Sequence, residues 1–539
     1  MSDTKTETTL RSNIEAARII IDTVKTTLGP MGRDKLLVDA GGNTIVTNDG
    51  AAILGELDVS HPAAKMIIEC AKTQEAECYD GTTSSVIVAG SLLKNSEALL
   101  NKGLHPNVVS KGYHEAARLC MKRLDELSGS VEEDDGTAST NGGYFPGGSV
   151  MRQAIITAIT GKTLEADVDH VVTLVSGAVD SDEKPRVICI PGGSLSDSEL
   201  WHGVVVNKTF AQPIRWPKAK EDAIIHHDSG KYVSKEGLRN ILLLNKSSDE
   251  SKSEENVQVQ LDMKGYSQMK ATAKEDALSS AKSIVSAFDS KAGVVFVRDQ
   301  VDDAMISYLK KHHIAVVRLV PESAIRAIAK STGSTVYHSP SEDMDVQPTI
   351  VEERELDDVK YLFVLSNSTD DHEVAQPVVK TLIIRGSTRT TLDETERGFD
   401  DALGVASIIH DGGDVVWGGG TTYCALAMYI RNEAASVSGR KQMAIEAFAD
   451  ALESIPSTLA ENSGHDPLDC ILAMRKALYD DPDMERQALG PDVEEGGLID
   501  MKELGVLEPA KLVRQSIMSA TEVTTAMLKI DDMVAKKGE

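Results

Sequence analysis

The chain has 539 residues, more than one hydrophobic core usually serves, so three or four domains are expected. Its 41% hydrophobic and 26% charged residues are the balance of an ordinary globular protein, which excludes a disordered or fibrous chain. A net charge of -28 and only 4% aromatic residues argue against a phosphate-backbone binder or a base-stacking surface, so no nucleic-acid partner is expected.

The acidic surface reads as a solubility feature. The start, Met1-Ser-Asp-Thr-Lys5, lacks the charged, apolar and small-residue succession of a signal peptide, and no run of about 18 apolar residues occurs. A cytoplasmic location without a membrane partner is therefore expected. Cys70, Cys78, Cys120, Cys189, Cys424 and Cys470 show no CxxC spacing, so they read as reduced, partly buried thiols.

Apolar residues at Ile14, Ala17, Ile21, Val24 and Leu28 form a helical stripe that Gly29-Pro30 stops. Lys35–Asp39 and Asn43–Thr47, joined by Gly41-Gly42, read as a β-hairpin. Helical periodicity returns over 62–78, 82–100 and 106–127. The acidic, then Gly-, Ser- and Thr-rich stretch 131–148 marks a domain edge. In the middle, Ile241–Leu244, Gly293–Val297 and Ile314–Arg318 are short apolar runs separated by helical segments, the pattern of an α/β domain across 211–384. Between the first two lies the polar run Lys246–Glu255 and a sparsely apolar segment, 257–288, expected to project into solvent. After about residue 385 helical character resumes, with Lys441–Leu452 the clearest amphipathic case. A helical domain interrupted by an α/β domain and then resumed is a nested insertion.

Three short motifs carry chemistry. Leu28-Gly-Pro-Met-Gly-Arg-Asp-Lys35 puts two glycines in a turn where backbone N–H groups can approach an anion, although a plain helix stop reads the same way. Asp80-Gly-Thr-Thr-Ser-Ser85 opens a helix with an acid suited to Mg2+ and with hydroxyls and amides suited to phosphate; a helix cap is the bland alternative. Gly418-Gly-Gly420 follows a short strand and precedes a helix, where bare backbone can meet a nucleotide or simply turn. There is no GxxxxGK[ST] and no GxGxxG after a strand, which excludes a P-loop or dinucleotide fold. The pairs His226-His227 and His312-His313 have no further ligands at metal spacing.

Taken in order, the chain resembles the group II chaperonins, the archaeal thermosome and eukaryotic cytosolic TRiC kind, along nearly its whole length. The resemblance rests on Thr47-Asn-Asp-Gly50, Asp58-Val-Ser-His-Pro-Ala-Ala-Lys65, Ala71-Lys-Thr-Gln74, Asp80-Gly-Thr-Thr83, Thr160-Gly-Lys162, Asp400-Asp-Ala402, Ser438-Gly-Arg440, Ala447–Leu452, Leu459-Ala-Glu-Asn462 and Lys529-Ile-Asp-Asp532. It is loosest at 130–150, 218–260 and 338–375, which are expected to be surface segments.

The resemblance implies a multidomain α+β and α/β chaperonin fold. Residues 1–148 and 405–539 would form an equatorial ATP-binding domain, 149–210 and 385–404 an intermediate hinge domain, and 211–384 an apical substrate-binding domain with a helical protrusion near 254–285. It implies ATP and Mg2+ as cofactors. Leu28, Gly29, Pro30, Gly32, Asp80, Gly81, Thr82, Thr83 and Ser84 would hold the phosphates, with Asp80 as the metal ligand and Lys162 reaching the γ-phosphate. Asp401 matches the acid that orients and deprotonates the attacking water, and Asp49 a second catalytic carboxylate; from the residues alone they also read as an exposed helical acid and a turn residue. Gly418, Gly419 and Asp500 match positions near the nucleoside, Asp500 suiting a ribose hydroxyl. The partners implied are unfolded or partly folded polypeptides and sister subunits in two stacked rings of about eight each. The activity implied is ATP hydrolysis coupled to protein folding, with a specialised, weakly hydrolysing ring subunit as the alternative and a small-molecule ATP-dependent enzyme as a third reading.

Three positions depart from the family pattern. Tyr79 stands where a glycine is usual before Asp80, so it is expected to crowd the phosphate loop, to force an unfavourable φ, or to pack on the preceding helix. Tyr423 and Ala425 replace acids after the glycine run, with an expected change in contacts between subunits.

Overall fold

The structure is a computed structural model that describes residues 2–38, 41–42, 44–131, 138–139, 150–179, 184–216, 224–226, 232–234, 238–245, 263–341, 343–365, 379–480 and 488–531. The chain divides into two compact units. One is built from both ends of the chain, Met1–Ser176 with Thr388–Glu539, and the other is the stretch between, Gly177–Ser387.

The first segment of the end-built unit opens with α1 (Ser2–Val24), which passes into a 3-10 turn at Lys25–Thr27. The hairpin follows as Lys35–Val38 antiparallel to Thr44–Thr47, with Lys35 opposite Thr47. Then come α2 (Gly50–Glu56), α3 (Pro62–Cys78), α4 (Thr82–Asn101), α5 (Pro106–Leu127), α6 (Val150–Ile159) and α7 (Val168–Val179). Both α3 and α5 start with proline in the first turn, where a missing N–H costs nothing, behind a histidine whose ring accepts an N–H from that turn.

The inserted unit carries a seven-stranded sheet. Ile314–Val317, Gly293–Val297 and Leu238–Leu244 lie parallel, and Gln347–Leu356, Val359–Leu365 and Gly203–Val206 continue the sheet antiparallel; Val336–Tyr337 pairs the end of Leu238–Leu244. Connections between the parallel strands run through α8 (Met263–Ala287), α9 (Asp303–Lys311) and α10 (Glu322–Thr332). Leu242 and Leu244 pack with Val295 and Val297 into one core, while Ile241 and Leu243 pack with Val294 and Phe296 into another. Strands buried on both faces read as continuous apolar runs, which is why their periodicity is hidden but their existence is plain. A second sheet joins Arg186–Pro191, Thr381–Gly386 and Glu199–Trp201.

Two expectations change here. Segment 257–288 does not all project: Ala277, Ala281, Ile284 and Phe288 are buried against the sheet, four small or apolar residues at helical spacing that suffice for a contact stripe. The proposed protrusion's residues 254–262 lie outside the described residues. Nor is 338–375 merely surface: Val351, Leu362, Phe363 and Val364 are buried in the central sheet, while 366–378 lie outside the described residues.

The chain then returns to the first unit with α11 (Arg389–His410), the strand Val415–Trp417, and α12 (Thr421–Ala434), α13 (Lys441–Leu452), α14 (Ser454–Asn462) and α15 (Pro467–Tyr479). A hairpin of Leu489–Pro491 and Leu498–Asp500, the short α16 (Met501–Leu504), the strand Leu507–Pro509 and α17 (Ala510–Met527) complete it. Leu507–Pro509 pairs antiparallel with Val415–Trp417. One core joins the two ends of the chain. In it Val86, Ile87 and Leu92 of α4 meet Phe448 and Leu452 of α13 and Val513 and Ile517 of α17. Tyr113 of α5 sets its ring edge-to-face on Phe448 at 5.6 Å and donates its hydroxyl to the Leu92 carbonyl at 2.9 Å. Each such side chain contributes about 1.5–3 kcal/mol. None of the six cysteines forms a disulfide, and five of them are buried. No described helix is long and apolar enough to cross a membrane.

Candidate active site

A cavity of about 940 Å³ in the end-built unit is where the glycine motifs meet. Two helix N-termini converge on it. Asp49 caps α2, its two carboxylate oxygens accepting the N–H groups of Ala51 and Ala52, each at 3.0 Å. A Cβ added at Gly50 would lie 2.5 Å from the Thr83 hydroxyl oxygen, so the start of α2 abuts the start of α4. At α4 the N-cap is Gly81, with φ +79°, and no side chain caps the helix. Asp80, Gly81, Thr82, Thr83 and Ser84 all line the cavity; Gly81 donates its N–H to Asp80 Oδ1 at 2.7 Å, and no side chain claims the N–H groups of the first helical residues, the usual setting for an anion.

The turn at Leu28, Gly29 and Pro30 forms a second wall. Gly29 has φ +82°, and a Cβ there would fall 2.3 Å from the Leu459 Cδ2, so a side chain is excluded twice over. Asn462 of α14 holds this turn by donating its amide to the carbonyls of Lys25 at 3.1 Å and Leu28 at 2.9 Å. Opposite, Gly419 and Gly420 line the cavity, and a Cβ on Gly419 would lie 2.7 Å from the Met501 sulfur.

The catalytic candidates face one another across the chain. Lys162 Nζ donates to Asp401 Oδ2 at 2.6 Å, with side chains only 16% and 17% exposed. Burial works against the charged ammonium, but the carboxylates of Asp401, Asp80 and Asp49 outweigh it and hold Lys162 above its ordinary value. Burial pushes the Asp401 carboxyl up to about 7; Lys162 pulls it down, while Asp80 and Asp49 add to the rise. Asp401 therefore sits in the range of a general base at neutral pH.

Three expected residues stand off the wall. Gly32 donates its N–H to the Gly29 carbonyl at 2.9 Å and so closes the turn, Gly418 donates to the Val506 carbonyl, also at 2.9 Å, and Asp500 caps α16 through the Lys502 N–H. Among the acids that line the cavity there, Asp492, Glu494, Glu495 and Glu508, burial, with Asp80 adding to it, pushes Glu508 up to about 8. Sequence reasoning missed it because one acid in a short strand carries no signal. It also missed Gln74, buried, whose amide donates to the carbonyls of Asp80 at 3.0 Å and Leu512 at 3.2 Å and so pins the Asp80 turn to α17. Among the described residues no cluster of three or more acidic, histidine or cysteine side chains is grouped to hold a metal unaided. One carboxylate beside phosphate oxygens is the usual Mg2+ arrangement, and Asp80 on the cavity wall fits it.

The departures resolve differently from expectation. Tyr79 does take a left-handed φ of +65°, but it does not line the cavity, and its ring lies against Gly404 of α11. Tyr423 and Ala425 are buried inside the unit, and Tyr423 lines the cavity, so neither presents itself to a neighbouring subunit.

Helical chain ends that enclose a glycine-walled anion cavity, interrupted by an α/β unit, are the plan of a chaperonin subunit. Residues 20–538 match the family model of the TCP-1/cpn60 chaperonins, and the chain belongs to that family. It is similar to a thermosome subunit of Methanopyrus kandleri, 36% identical over 98% of this chain and 92% of the relative. Thermosome subunit alpha of Archaeoglobus fulgidus is 37% identical over 98% and 92%, and that of Halobacterium salinarum 36% over 97% and 88%. The chain is thus a group II chaperonin subunit, a chaperone that works with ATP.

Proposed function

We propose that this subunit hydrolyses ATP in the cavity of its end-built unit and uses the cycle to enclose and fold non-native polypeptides inside two stacked rings in the cytosol. The carrying observation is the Lys162–Asp401 pair on the wall of a cavity into which the uncapped start of α4 opens. Without nucleotide the two charges neutralise each other. A γ-phosphate arriving at Lys162 would compete for the ammonium and leave Asp401 as a carboxylate free to orient a water and take its proton. The backbone at Gly29 and Gly81 and the hydroxyls of Thr82, Thr83 and Ser84 would hold the phosphates. Asp80 would hold Mg2+, which when bound neutralises phosphate charge. Of the acids on the wall beside Asp500, Asp492, Glu494, Glu495 and Glu508, one would meet the nucleoside's hydroxyl groups. We read 1–148 with 405–539 as the equatorial, 149–210 with 385–404 as the intermediate and 211–384 as the apical domain.

The test is steady-state ATP hydrolysis by the purified assembly, with and without a denatured protein, beside the Asp401→Asn assembly. Hydrolysis above that of the variant, and refolding that stops when ATP is withheld, are expected. Equal rates in the two proteins would overturn the reading.

A further inference from the structure

Two departures from local backbone preference meet at one contact beside the site. Tyr79, the only residue between the end of α3 and Asp80, is held at φ +65°, ψ -28° and closes α3 by donating its N–H to the Glu75 carbonyl at 2.8 Å. A tyrosine in the left-handed region is strained where a glycine would not be. Gly404 lies buried in the middle of α11 among Ala402, Leu403, Val405 and Ala406, where any of its neighbours' side chains would favour the helix more. The two explain each other. A Cβ on Gly404 would lie 2.1 Å from Tyr79 Cγ, 2.3 Å from Cδ2 and 2.4 Å from Cβ. The glycine is a notch and the ring fills it.

The notch is three residues past Asp401 on the same helix. At 1.5 Å rise and 3.6 residues per turn, positions three apart lie nearly above one another, so what presses on Gly404 sets the height and rotation of Asp401. The other end of the contact is joined directly to Asp80, at the mouth of the phosphate helix. We propose that Tyr79 is a positioning residue: its ring, seated in the Gly404 notch, registers α11 against the Asp80 turn and thereby places Asp401 over the bound phosphates. This rests on the ATPase reading above and adds to it how the two halves of the site, from opposite ends of the chain, are held in register.

The experiment uses the full assembly in wild-type form and as Tyr79→Gly, Tyr79→Asn, Tyr79→Phe, Gly404→Ala and the Tyr79→Gly/Gly404→Ala double variant. Mg·ATP binding is measured by calorimetric titration, turnover at saturating ATP, and folding by thermal melting. Tyr79→Phe keeps the ring and should stay within about threefold of wild type in kcat. Tyr79→Gly, Tyr79→Asn and Gly404→Ala should each lower kcat about ten- to a hundredfold, the scale of a misplaced catalytic group, with ATP affinity within about threefold. Asparagine tolerates the left-handed region, so Tyr79→Asn keeps the test open if Tyr79→Gly melts early. Because both single changes break the same contact, Gly404→Ala should cost little further in the Tyr79→Gly background. Faster turnover in Tyr79→Gly, or an equal cost of Gly404→Ala in both backgrounds, overturns the positioning role while leaving the ATPase intact. A wild-type assembly that binds Mg·ATP without hydrolysing it overturns the ATPase reading itself, and the positioning role with it.

Discussion

Lys162 and Asp401 are 239 residues apart in sequence, yet the ammonium and carboxylate stand 2.6 Å apart on the wall of the cavity. Lys162 follows α6 and Asp401 sits within α11, two helices packed side by side, so the pair exists only because the chain leaves this unit, builds another and returns. On the proposed reading, a phosphate that takes Lys162 would release Asp401 from the pair.

Replacing Asp401 by Asn should leave ATP affinity within a few-fold and slow hydrolysis about 10²–10⁴-fold, because a water-activating carboxylate acts mainly in the transition state. Asp80→Ala should instead weaken Mg·ATP binding, and a chelator should abolish the difference between that variant and wild type. Nucleotide titration with single-turnover hydrolysis reads both; equal losses of binding would refute the division of roles.

Since Asp401 must be ionised to accept a proton and burial first raises its carboxyl to about 7, turnover should climb as pH rises through that region and level above it. A pH profile of kcat, in which Asp401→Asn loses the climb, checks this.

Gly81→Ala combines a φ of +79° with a Cβ only 2.5 Å from Leu512 Cδ2 and 3.0 Å from the Gln74 amide nitrogen. The left-handed alanine costs about 1–2 kcal/mol, and displacing the turn costs the phosphate contacts besides. Mg·ATP affinity is expected to fall about tenfold or more, the equivalent of one good hydrogen bond, together with a lower melting temperature.

Glu508 carries a pH-dependent penalty. Its carboxyl ionises only near pH 8 in the folded protein because of burial and then Asp80, against an ordinary value of 4.5 in the unfolded chain. Between those limits the folded state binds the extra proton, so stability falls as pH rises from about 4.5 to about 8 and is flat beyond. Without nucleotide and in chelator, Glu508→Gln should leave melting unchanged near pH 4.5 and raise it by a few degrees at pH 8. A Glu508→Gln gain that does not grow with pH would rule this out.

Glu453, only 4% exposed, is gripped by Arg431 at 2.5 and 2.6 Å and by Arg475 at 2.7 Å, tying α12, α13 and α15 together. Burial raises its carboxyl, but the hydrogen bonds from Arg475 and Arg431 outweigh that and hold it below the ordinary value. This contribution is present above the unfolded carboxylate range and lost as pH falls through the lower, folded value. Glu453→Ala leaves Arg431 and Arg475 with only the more exposed Asp450 between them and should destabilise the unit by about 1–3 kcal/mol, read as an earlier midpoint in urea.

What the amino-acid sequence determined by itself is whatever depends on neighbours along the chain. Helices 62–78 and 106–127 end where their periodicity and proline starts say, the hairpin pairs Lys35–Val38 with Thr44–Thr47, and the phosphate turn at Asp80–Ser84 opens a helix, since a cap or an apolar stripe is a local property. Family likeness added Lys162 and Asp401. Tertiary structure alone decided the rest. Glu508 joins Asp492, Glu494 and Glu495 on the wall because a strand pairing with Val415–Trp417 carries it there, and the Asp500 carboxylate caps α16. Ala277, Ala281, Ile284 and Phe288 bring part of the segment 257–288 into the core because four residues suffice to bury one helix face. Tyr79 has its place because a glycine 325 positions away, at 404, leaves room for its ring, and sterics between distant segments leave no trace in local sequence.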